Sequence, residues 1–172
     1  TELAMDPNLR FLAVTNKSAG TVSFLDIEPS SVNFHQVVAT VAVGAEPTGI
    51  AWQPDGEDIL VCNSGTNTVS VISAFSFAVR KTVSLGANAP IHLAVTPRHD
   101  GYGAMSGVYY AWIVDSEGRV WVFESGPSGV NGWGYDDVVL ASRWTLDSPS
   151  AIQLDPLDPM ASAWVTHDQS VD

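Results

Sequence analysis

Ile50-Ala51-Trp52-Gln53-Pro54 is followed by Val61-Cys62-Asn63 and, past the turn Ser64 to Asn67, by Thr68-Val69-Ser70-Val71-Ile72. An apolar stretch closed by proline is thus succeeded by a strand ending in a polar residue and a strand of alternating β-branched residues. The same succession runs through the chain. Its first marker recurs as Leu3-Ala4-Met5-Asp6-Pro7, Leu93-Ala94-Val95-Thr96-Pro97 and Ile152-Gln153-Leu154-Asp155-Pro156, so that the prolines lie 47, 43 and 59 residues apart. Its second marker recurs as Val14-Thr15-Asn16, Ile113-Val114-Asp115 and Val165-Thr166-His167. Turn clusters of Gly, Asn, Asp and Ser follow each second marker, the composition of hairpin bends.

A third and a fourth strand complete each unit. The third strands are 21–27, 68–72 and 119–123; the fourth are 37–43, 79–85 and 138–146, after which Pro47, Pro90 and Pro149 lead into the next copy. Units of four antiparallel strands at this period predict an all-β β-propeller built of four-stranded blades, with no helical period in competition. The expected blades are 1 (about 1–47), 2 (about 48–90), 3 (about 91–149, with inserted loops) and a partial blade 4 (150–172), all of one propeller domain. About three and a half blades leave the ring incomplete. The expectation is a piece of a longer propeller, with the remaining blades supplied by the parent chain or by other copies, because a blade without neighbours leaves apolar sheet in water.

Val14-Thr15-Asn16, Thr68-Val69-Ser70-Val71-Ile72 and the strand 37–43 with Gly44 and Pro47 resemble the YVTN-type β-propeller repeat. Blade 3 departs from it by longer loops and by Asp115 where the motif has Asn, and blade 4 carries His167 in that place. The resemblance implies a propeller of the kind found in secreted, periplasmic or cell-surface proteins, and no particular chemistry. Propellers similar to it include lactonases, amine dehydrogenase subunits and haem-binding nitrite reductases, whose active groups gather around the central axis.

Seven Lys and Arg against nineteen Asp and Glu leave a net charge of −12, which sets nucleic acid and anionic membranes aside as partners. Mean hydropathy is +0.12, and no apolar run approaches the roughly 20 residues of a membrane-spanning helix, so no membrane insertion is expected. The single cysteine, Cys62, can form neither an internal disulfide nor a cysteine-based zinc cluster.

In a meander of this kind the turns after the second and fourth strands open on one face and the others on the opposite face. The first face collects Asn16, Asn63, Asp115 and His167 as candidate binding groups, set against the alternative that such residues bond their own turns. Two residues on from each leading proline come Gly49, His92 and Ala151, with Glu2 in the matching place of blade 1; His92 there is the candidate for a metal or haem ligand. Four histidines without short ligand spacing make no metal site, and no cofactor is expected; calcium at Asp136 with Asp137 or Asp155 with Asp158 is the other possibility.

The opposite face receives both insertions of blade 3, about 98–107 and 124–136. Their Tyr102, Met105, Trp133 and Tyr135 sit among glycines, the composition of a partner-binding surface or of a cover over the blade's own edge. Trp52, Trp112, Trp121, Trp144 and Trp164 are expected in the wedges between blades. No nucleophile elbow or phosphate-binding glycine loop is present. The reading is a noncatalytic exported or cell-surface scaffold that holds a protein or small ligand, with a propeller enzyme of the kinds named above as the alternative.

Overall fold

Leu3–Met5 (β1), Phe11–Asn16 (β2), Thr21–Asp26 (β3) and Val37–Ala42 (β4) form the first antiparallel sheet, hydrogen-bonded in chain order. Pro47–Trp52 (β5), Asp58–Asn63 (β6), Thr68–Ser73 (β7) and Ala78–Ser84 (β8) repeat it, as do Pro90–Val95 (β9), Tyr110–Asp115 (β10), Val120–Glu124 (β11) and Asp137–Ala141 (β12). Pro149–Leu154 (β13) pairs with Ala163–His167 (β14). The computed structural model describes residues 1–99, 107–126, 135–142, 146–154 and 163–167. Within them the helical content is one 3₁₀ turn, Lys17–Ala19.

The first strand of each sheet packs on the first strand of the next, β1 on β5, β5 on β9 and β9 on β13, which places these strands at a common hub. The chain folds as an arc of a β-propeller. Irregularities recur with the repeat: register shifts fall between Phe24 and Leu25, Val71 and Ile72, and Val122 and Phe123, the same point in three blades. An irregularity kept in place this way bends the third and fourth strands of these three blades alike.

Burial follows from the stacking. Ala13, Val22, Phe24 and Val41 of blade 1 pack against Ile50, Trp52, Ile59, Val61 and Ile72 of blade 2. Leu60, Cys62, Val69, Val71 and Val83, from the other face of blade 2, pack against Leu93, Val95, Ala111, Ile113 and Phe123 of blade 3. Blade 2 is therefore covered on both faces, and every residue of β6 is buried, whereas β3 in blade 1 alternates between buried and half-buried. Leu3 and Met5 occupy the positions of Ile50 and Trp52, yet they are 64% and 54% exposed because no blade covers that face among the described residues. Trp164 is likewise 67% exposed and departs from the expected wedge position, since among the described residues no sheet lies on the face of β14 it occupies. Trp52 does fill a wedge, edge-on to Phe24 with ring centroids 6.0 Å apart.

At the hub, sequence becomes geometry at Gly49. A Cβ there would lie 2.7 Å from Ile91 O and 2.9 Å from His92 Cα, both backbone atoms that cannot turn aside. Gly49→Ala should force β5 and β9 apart and cost about 1–3 kcal/mol, the range for overpacking. Urea unfolding measures this, and a variant as stable as the parent would show that the hub strands separate freely.

Candidate functional site

On the face where the second strands end, the repeat's polar residues bond within their own hairpins, although Asn63 Oδ1 is buried without a hydrogen-bond partner among the described residues. Asn16 donates through Nδ2 to Thr21 Oγ1 at 3.0 Å and Ser23 Oγ at 2.8 Å. Asn63 does the same with Thr68 Oγ1 at 3.1 Å and Ser70 Oγ at 2.9 Å. The partners are side chains of the following strand, not the turn backbone expected from the sequence. Asp115, with a carboxylate in place of the amide, has no donor to offer; it accepts from the turn N–H groups of Glu117 and Arg119 at 2.9 Å and from Trp121 Nε1 at 2.8 Å. Asn63 and Asp115 are fully buried, and Pro47 and Pro90, leading the first strands, lie opposite them in register. Gly44 permits the Asn63 packing, since a Cβ there would lie 2.6 Å from Asn63 Cβ. These residues brace hairpins. The side chain of His167 lies outside the described residues; its backbone pairs with Pro149.

His92 stands at the hub with its Nδ1 3.5 Å from Glu2 Oε1, so the matching positions of blades 3 and 1 meet. Both side chains are partly exposed. Cys62 lies buried behind them, and burial, followed by the negative charge of Glu2, pushes its thiol well above the usual value. Among the described residues, no group of three or more His, Cys, Asp and Glu is placed to hold a metal ion.

The opposite face carries a constellation that sequence reasoning missed. Asp58, buried at the start of β6, takes Arg80 from β8 through Nε at 3.1 Å and Nη2 at 2.8 Å, and accepts the Tyr109 hydroxyl of blade 3 at 2.6 Å. Arg80 Nη1 continues to Asp136 Oδ1 at 2.9 Å, again in blade 3. Arg98 makes a second tie: its Nε and Nη2 donate to Glu57 of blade 2, its N–H donates to Asp55 at 2.7 Å, and its guanidinium lies 5.3 Å from the Tyr109 ring centre. Blades 2 and 3 are thereby joined by charged groups as well as by their apolar faces.

Electrostatics follows from this burial. Desolvation works against the Arg80 charge, but the hydrogen bonds and negative charge of Asp58 outweigh it and hold the guanidinium more firmly protonated than usual. Burial first, then the charge of Asp58, pushes the Tyr109 phenol up, with Arg80 opposing. A folded-state pKa above the unfolded one means stability that is intact below the unfolded value and lost as pH climbs past it. The decline should set in above the ordinary thiol and phenol values of 9.0 and 10.0, with Cys62, Tyr109 and Tyr110 all contributing. Urea midpoints of Tyr109→Phe, followed from neutral pH upward, should fall less steeply than those of the parent; parallel curves would contradict the assignment.

Around this network opens a cleft of about 300 Å³, lined by Glu57, Asp58, Phe75, Arg80, Arg98 and Asp136 with Ser73, Ser125 and Gly126. It lies at the roots of both blade 3 insertions, between Arg98 and Gly107 on one side and Gly126 and Asp136 on the other. Arg98 Nη1 donates to Gly107 O across the base of the first. Tyr102, Met105 and Trp133 lie outside the described residues; Tyr135, next to Asp136, is 76% exposed. One signal in the sequence pointed here. Asp58 stands where blade 1 has Phe11 and blade 3 has Tyr110, so the repeat breaks from ring to carboxylate at this position.

No family model and no curated protein matches the sequence. Among solved structures, the chain is similar to Kuenenia stuttgartiensis hydrazine synthase at 22% identity and a TM-score of 0.64. The match covers 90% of this chain and 38% of that one. At so low an identity the likeness carries the fold alone.

Proposed function

We propose that the protein is a noncatalytic propeller platform, exported or on the cell surface, that holds another protein or a ligand on the face bearing the blade 3 insertions. The cleft at the roots of those insertions carries this reading: it is walled by two rigid blades and flanked by Phe75, 80% exposed, with Tyr135 close by in sequence to Asp136. Aromatic groups on loops held by a stiff scaffold are the usual equipment of a binding surface. The burial of Asn63 and Asp115, and the bonds that Asn16, Asn63 and Asp115 make within their own hairpins, turn attention away from the other face. The YVTN-type resemblance supports the exported setting. A further blade, from a longer chain or another copy, would cover Leu3 and Met5.

Shortening 102–105 or 133–135 is expected to leave folding unchanged and to reduce partner capture from an exported or cell-surface fraction at least about tenfold, the scale of losing a hot-spot contact. Undiminished capture would refute the platform. A second reading, a propeller enzyme of the lactonase, amine dehydrogenase or haem nitrite reductase kind, rests on the Glu2–His92 pair at the hub, where a carboxylate and an imidazole face one another. A haem or quinone band in the absorption spectrum of the intact protein would favour it.

A further inference from the structure

Both guanidiniums of the cleft are held by acids and carbonyls of the protein itself. Arg80 uses Nε and Nη2 on Asp58 and Nη1 on Asp136, while Arg98 uses Nε and Nη2 on Glu57 and Nη1 on Gly107 O. An anion bound here would compete with Asp58, Glu57 and Asp136 for charges that already join two blades.

Acceptors are in surplus. Glu57 takes both Arg98 bonds on Oε2, and Asp136 takes Arg80 on Oδ1, so that Glu57 Oε1 and Asp136 Oδ2 have no hydrogen-bond partner among the described residues. Three carboxylates and two guanidiniums line the cleft, an excess of one negative charge. Phe75 lies open beside them, and an exposed ring face attracts a cation electrostatically. The net charge of −12 draws positively charged groups toward the whole surface.

We infer that the cleft receives a basic side chain, lysine or arginine, presented by a partner protein, its charge taken by Glu57 and Asp136 and its stem or head laid on Phe75. This rests on the platform reading above and specifies the partner's chemistry. The polar floor of Asp58, Arg80 and Tyr109 does not bind the guest; it holds Asp136 and the wall of blade 3 in place.

The test is a titration of the isotopically labelled chain with three capped tripeptides, Gly-Arg-Gly, Gly-Lys-Gly and Gly-Glu-Gly, followed by NMR. The arginine and lysine peptides should give saturable shifts at Ser73, Phe75 and Gly126, weakened by added salt, and the glutamate peptide none. Phe75→Ala, at an exposed position that folding does not need, should weaken arginine binding at least about fivefold, and Phe75→Trp should retain it. Equal shifts with the glutamate peptide, no saturable shift with either basic peptide, or unchanged affinity in Phe75→Ala would overturn the assignment. Partner capture that is lost on loop shortening, in a protein that ignores the basic peptides, would leave the platform standing and remove only this inference. Basic peptides that bind while loop shortening leaves capture intact would do the reverse.

Discussion

Asp58→Ala should lower the unfolding free energy by about 3–5 kcal/mol, the cost of breaking a buried ion pair by removing one partner. The carboxylate accepts from Arg80 Nη2 at 2.8 Å and from Tyr109 Oη at 2.6 Å, and it is nearly sealed from water. Its loss leaves the Arg80 guanidinium with Asp136 as its remaining carboxylate and the buried Tyr109 phenol without its acceptor, and solvent reaches the phenol only by loosening the junction of blades 2 and 3. Two companions separate the contributions. Tyr109→Phe removes one bond to a charged group and should cost about 1.5–3 kcal/mol. Removing Asp58 and Arg80 together should cost less than the two single changes combined, because the double variant strands neither member of that pair and leaves only Asp136 without its partner. Urea unfolding of the set measures all of this; an Asp58→Ala variant within about 0.5 kcal/mol of the parent, the scatter of ordinary surface changes, would mean that the network contributes nothing to the junction.

Phe24→Ala should cost a comparable amount, about 3–5 kcal/mol, by a different mechanism. The ring is fully buried at the junction of blades 1 and 2, where it meets Trp52 at 6.0 Å and Phe77 at 4.6 Å between centroids. Truncation removes both aromatic contacts and leaves a cavity between sheets that are already stacked and cannot collapse fully to fill it. Since each blade touches only its neighbours, the damage should be local. Hydrogen exchange is expected to accelerate in β1 to β4 while β9 to β11 keep their protection. Exchange that rises equally everywhere would show a chain unfolding as one unit. Leu3→Ala is the control: Leu3 sits at a repeat position whose counterpart in blade 2 is buried, but it is exposed itself, so the change should stay within about 0.5 kcal/mol.

How far the candidate site could be read from the chain differs between its two faces. Asn16 and Asn63 stood out because the repeat displays them, yet their partners lie five and seven residues away and turn them into braces. His92 and Glu2 were visible as equivalent positions of blades 1 and 3, though not as a facing pair. Asp58 left a weak trace, as a polar residue where the other blades have rings. Arg80 left none, because an arginine near the start of a fourth strand reads as an ordinary solvated cation.

The strands, their order and the apolar faces were determined by the sequence alone, for they depend on alternation along a strand and on turns between neighbours, both properties of adjacent residues. Tertiary structure alone decided the cleft. Asp58 and Arg80, 22 positions apart, meet across one strand of a single blade, but the bonds to Tyr109 and Asp136, spanning 51 and 56 positions, form only after blade 3 has rotated against blade 2 by an angle that no local pattern encodes. The exposure of Leu3, Met5 and Trp164 was settled in the same way. Periodicity marks a side chain as belonging to a packing face, but whether another sheet lies on that face depends on where the neighbouring blades stand.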